Sequence, residues 1–124
     1  MMRLAIALCL AASETVAQDA SDASGGVLRG LDKVSGITQD IEIRAGGRAT
    51  FGRMEIEMSA CRYPTNDPSS NAFAHLTIRD GLTGSIAFDG WMIASSPALN
   101  ALDHPRFDIW VLRCNSPVAD GASD

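Results

Sequence analysis

Lysine is nearly absent from this chain. Lys33 is the only one, and the 10 basic residues are scattered among 15 acidic ones, with a net charge of −5. Nucleic-acid binding needs clustered Lys and Arg to neutralise phosphates, so this composition excludes DNA and RNA as natural partners. Long apolar runs are missing too. The longest, Leu4 to Ala12, is less than half of the roughly 20 residues a membrane-spanning helix requires. The two histidines, His75 and His104, stand far apart and show no metal-ligand spacing. There is no Cys-x-x-Cys pair, no Gly-x-Ser-x-Gly elbow and no Ser-x-x-Lys pair, which removes the commonest redox and serine-hydrolase signatures. No motif calls for a cofactor or a metal.

What is present begins at the N-terminus. Met1-Met2-Arg3 precedes the apolar run, Glu14 ends it, and Thr15-Val16-Ala17 offers compact side chains. This is the pattern of a secretory signal peptide over 1–17, cleaved near Ala17. The expected destination is the bacterial periplasm or the outside. Cleavage removes Arg3 and Glu14, one charge of each sign, so the balance is unchanged. It also removes Cys9 and leaves Cys61 and Cys114. Two cysteines in an exported domain read as one disulfide. The bridge closes a long loop, worth roughly 4 kcal/mol on the chain-entropy model.

The remainder is one domain in length. Residues 18–25 are small and polar and read as a disordered linker. Residues 26–115 form a single β domain, and 116–124 read as a disordered tail. Several segments alternate with period two, as half-buried strands do. Ile37 to Arg44 sets Ile37, Ile41 and Ile43 on one face, and Met54 to Ala60 does the same with Met54, Ile56, Met58 and Ala60. Cys61 falls on the outward parity of that strand, so either a bulge turns it inward or the bridge lies outside the core. Ala72 to Arg79 and Ser85 to Met92 form a hairpin across Asp80-Gly81, with a bulge expected at Asp89-Gly90. Ile109-Trp110-Val111-Leu112 is apolar on both parities, which points to a central strand covered on both sides.

Between the last two strands, Ser96 is a good N-cap and Pro97 suits the first helical position. Pro105 forbids continuation past His104, and Leu99 and Leu102 can share one buried face. The expected fold is therefore mainly β: a small antiparallel β-sandwich or barrel with one short helix near 96–103.

The string Gly90-Trp91-Met92-Ile93-Ala94-Ser95-Ser96-Pro97-Ala98-Leu99-Asn100, continuing to Trp110-Val111-Leu112-Arg113-Cys114, is long and specific. With Leu31-Asp32-Lys33-Val34 and Gly36, Phe51-Gly52-Arg53-Met54, and Cys61, it resembles a family of exported bacterial proteins, domain-of-unknown-function family 2155. The resemblance runs from about Val27 to Cys114. Ile93 stands where Phe is expected and Asp103 where Glu is expected, both mild departures. The resemblance implies an exported location and no particular activity.

Two functional expectations follow. The first is a non-enzymatic binding or accessory module of the cell envelope, docked on the periplasmic side of an envelope or inner-membrane protein. Its binding residues would be Trp91, Met92, Ser95, Ser96, Asn100 and His104, because a tryptophan with a Met neighbour is a frequent interface anchor. The alternative is a small serine hydrolase or transferase. It would use Ser95 or Ser96 as nucleophile and His104 as base, oriented by Asp103 or Asp108.

Overall fold

The computed structural model describes residues 19–116, so the signal peptide and most of the C-terminal tail expected from the sequence lie outside the described residues. Eight strands follow one another: β1 (Ala20–Asp22), β2 (Gly25–Asp32), β3 (Thr38–Arg44), β4 (Arg48–Phe51), β5 (Met54–Pro64), β6 (Phe73–Asp80), β7 (Ile86–Ile93) and β8 (Phe107–Cys114). All pairings are antiparallel. One sheet has the order β1-β5-β6-β7, with β4 also on β5, and the other has the order β3-β2-β8. They face each other as an open sandwich. The chain crosses between them after β1, after β3 and again after β7.

The alternation read from the sequence builds the interior. Met54, Ile56 and Met58 on β5 and Leu76 and Ile78 on β6 are almost fully buried, opposite Leu28, Ile41, Ile43, Ile109 and Val111 of the other sheet. Ile37 and Ala60 are the exceptions. Ile37 precedes β3 and is 63% exposed. The shift in β5 after Met58 sets Ala60 opposite His75 on the outer face, half-buried. A register shift between Met58 and Ala60 is the bulge that turns Cys61 inward. Cys61 then bonds Cys114 across the sandwich, with Cα atoms 5.7 Å apart, a normal span for a bridge. The disulfide joins β5 of one sheet to β8 of the other at one end of the molecule. At the opposite end, β4 and β5 are joined by a two-residue turn in which Gly52 has φ +56°, a left-handed conformation that favours glycine.

Several expectations are corrected. The segment read as a linker, 18–25, contains β1 and the start of β2, and β1 is paired residue by residue with Arg62 to Pro64. The bulge in the β6–β7 hairpin lies at Ala87 rather than at Asp89-Gly90, because Ile78 faces Phe88 while Arg79 faces Ile86. The helix near 96–103 reduces to one 3-10 turn, Pro97–Leu99, and Ser96 makes no side-chain capping bond. Leu102 is buried but Leu99 is 75% exposed, so the two share no face. β8 is not central. It ends its sheet, and β2 is the middle strand.

Candidate functional site

The residues singled out from the sequence separate into distinct places. The cause is the segment 94–106, which leaves β7 at the disulfide end and runs back along the gap between β7 and β8. Trp91 pairs with His75 on β6, whereas His104 bonds Asp80, five residues further along that strand. At about 3.4 Å per residue the two ends of the segment are roughly 17 Å apart.

His104 is buried at the far end. Its Nδ1 accepts the backbone N–H groups of Arg106 and Phe107, both at 3.1 Å. The hydrogen therefore sits on Nε2, which donates to Asp80 Oδ2 at 2.9 Å. Asp80 also accepts from Arg53 Nε at 3.0 Å and from the Leu82 backbone N–H at 2.9 Å. The bond from His104, with those from Leu82 and Arg53, holds the Asp80 carboxyl well below the usual carboxylate range. Beside it, the Arg106 guanidinium forks onto Asp32 and lowers that carboxyl to about 2. Arg53 and Arg106 also lie over the Phe107 ring, at 5.7 and 5.1 Å from its centroid. Both His104 nitrogens are occupied in this clasp.

Ser95 and Ser96 stand at the other end of the segment. The Ser95 backbone N–H donates to Asn71 Oδ1 at 3.0 Å; Ser95 is exposed and Ser96 half-buried. The structure does not bring either hydroxyl to His104. Asp103 is exposed, and Asp108 lies on β8, half-buried, with no hydrogen bond or ion pair among the described residues. A different serine–histidine contact does form. Ser59 Oγ and His75 Nδ1 are 2.6 Å apart on the outer face of the larger sheet, and His75 Nε2 stands 3.9 Å from Asp89 Oδ1. These are cross-strand polar neighbours on an open face. Among the described residues no group of three or more His, Cys, Asp or Glu converges as a metal site would require.

Trp91, Met92 and Asn100 do come together. Trp91 is 42% exposed and meets the His75 ring edge-on at 5.2 Å. Asn100 Nδ2 donates to the Trp91 carbonyl at 2.8 Å, which ties the segment to the free edge of β7. Met92 points inward and is nearly buried. It floors a groove of about 390 Å³ between β7 and β8, lined by Met92, Ile93, Pro97, Ala98 and Ala101 on one side and by Asp108 to Val111 of β8 on the other. Asp108 is the one charged residue in that lining.

Sequence reasoning missed the β8 wall of this groove. Its signal was the apolar run on both parities, which was read as a strand covered twice. The run belongs instead to an edge strand whose second side opens on the groove. Asp80, the partner of His104, and Arg53, which pairs with Asp80, carried no sequence signal, since they lie far apart in the chain.

No helix of the described residues is long and apolar enough to cross a membrane. No solved structure matches the chain. It is similar to an uncharacterized protein of Rickettsia prowazekii (strain Madrid E), 24% identical over 94 residues, which cover 73% of this chain. The chain spans 61% of that relative's length. Residues 26–114 match a family model, and that stretch takes in β2 through β8, the disulfide and the groove. The chain belongs to the family described as an uncharacterized protein conserved in bacteria, DUF2155.

Proposed function

We propose that this domain is a non-enzymatic binding or accessory module, exported after signal cleavage near Ala17 and docked on an envelope protein at its periplasmic side. The observation that carries the reading is the open groove between β7 and β8. Apolar grooves with few polar groups are the usual form of a binding site, and a soluble domain gains nothing in stability by leaving one open to water. Trp91 precedes the groove residue Met92, and its backbone carbonyl accepts from Asn100 of the segment that lines the groove. Its ring is half-exposed against His75. The two serines and His104 support no competing catalytic reading, because the histidine is held in the Asp80 clasp.

The test is a crosslinked pull-down of the tagged mature protein from native envelope membranes. Ala101 is exposed and lines the groove, so Ala101→Trp fills the groove without entering the core. One stoichiometric partner, lost in Ala101→Trp and weakened in Trp91→Ala, supports the module. A partner retained by the filled groove refutes this site. Signal cleavage is checked by N-terminal sequencing of the periplasmic fraction, with Gln18 the expected first residue.

A further inference from the structure

We propose that the groove takes an extended peptide segment of its partner as an added β-strand on the free edge of β8. This rests on the binding-module reading and specifies the chemistry of the occupant. β8 pairs with β2 on one side only. Among the described residues, no backbone hydrogen bond outside that ladder involves residues 108–111. Those four residues also line the groove consecutively, both parities together. Side chains of one strand alternate between faces, so four neighbours border one groove only where the backbone edge itself forms the wall. The row of unpaired N–H and C=O groups in that wall is a template for strand pairing.

The opposite wall leaves the place open. Pro97 lacks an N–H, Ala98 and Ala101 are small, and Asn100 is committed to the Trp91 carbonyl. The floor from Met92, Ile109 and Val111 receives apolar side chains at alternate positions of the incoming strand. The length of β8 at the groove, about 13 Å, matches four residues of extended chain. Charge sets the remaining preference. Asp108 is half-buried without a cation among the described residues, on a domain of net charge −5. The occupant is therefore an apolar, extended segment carrying Lys or Arg beside its pairing residues.

The probe is the synthetic peptide Lys-Val-Thr-Val-Thr-Val-Lys, capped at both ends. Its control carries N-methyl groups on alternate backbone amides, which removes strand pairing and leaves the side chains. Strand addition draws its affinity from main-chain bonds, so the probe at millimolar concentration slows amide hydrogen exchange within 108–111 of the labelled protein. N-methylation weakens binding about thirtyfold, as loss of two backbone hydrogen bonds implies. Asp108→Asn weakens it about threefold and reduces its salt dependence. Equal binding of the N-methylated control, or no change in exchange at 108–111, overturns strand addition. If the envelope partner is still captured and still lost in Ala101→Trp, only strand addition falls and the module stands. If the partner ignores the filled groove as well, both fall.

Discussion

Breaking the Cys61–Cys114 bridge gives the largest stability change that can be worked from this structure. The bonded residues are 53 apart in sequence. On the chain-entropy model, closing a loop of that length is worth about 4 kcal/mol at room temperature. Net stability of a domain this size is on the order of 5–15 kcal/mol, so the bridge supplies a large share. Each kcal/mol moves the melting temperature of a small domain by about 4–8 °C, so loss of the bridge lowers Tm by roughly 16–30 °C. Two preparations isolate the loop contribution. In the first, wild type is unfolded, reduced and refolded under reductant, which keeps both sulfur atoms in their buried places. In the second, Cys61→Ala with Cys114→Ala removes them and adds a cavity cost. Urea unfolding followed by circular dichroism reads both against the oxidised protein. The expectation is a loss of about 4 kcal/mol in the reduced protein and more in the double variant. A reduced protein within about 1 kcal/mol of the oxidised one refutes the reasoning. The core packed between the two sheets would then hold them together unaided.

Acid should weaken the fold through Asp80 and Asp32. Their carboxyls are held below the ordinary value of about 3.9, Asp32 at about 2, so their contribution is whole above that value and is lost as pH falls toward the folded values. Urea midpoints measured from neutral pH downward should fall in that acid range, and Asp80→Asn should lower the neutral midpoint and flatten the slope; an unchanged slope counts against the clasp. Gly26→Ala should destabilise by about 1–3 kcal/mol, because a Cβ there would sit 2.7 Å from the Arg113 carbonyl oxygen and 2.9 Å from Cys61 Sγ; an unaltered midpoint would mean the backbone gives way freely. Trp91→Ala should cost under about 1 kcal/mol as an exposed substitution, while Met92→Ala should cost about 2–5 kcal/mol as a core truncation; equal costs would place Trp91 in the core. Ser95→Ala with Ser96→Ala should leave the midpoint unchanged within about 0.5 kcal/mol, since neither hydroxyl makes a hydrogen bond among the described residues.

Local chemistry was enough for much of this molecule. Strand alternation in Met54–Met58 and Ala72–Arg79 determined which side chains enter the core, because side-chain direction in a regular strand follows position alone. The cysteine pair was legible once Cys9, in the segment expected to be a signal peptide, was set aside, and turn glycines marked the hairpins. Tertiary structure decided the rest. A bulge at Ser59 chose between the two places open to Cys61, and no residue type announces such a shift. Pairing decided that β8 is an edge, although its apolar residues on both parities resemble those of a buried strand. The buried face and the groove wall are both lined by apolar neighbours and select the same side chains. Long-range packing also separated His104 from Ser95 and Ser96. Residues within ten positions of one another stand at opposite ends of an extended segment, and the histidine's side-chain partner, Asp80, itself bonded to Arg53, comes from a distant part of the chain. Sequence proximity supplied the hydrolase idea, and the extended backbone between those residues removed it.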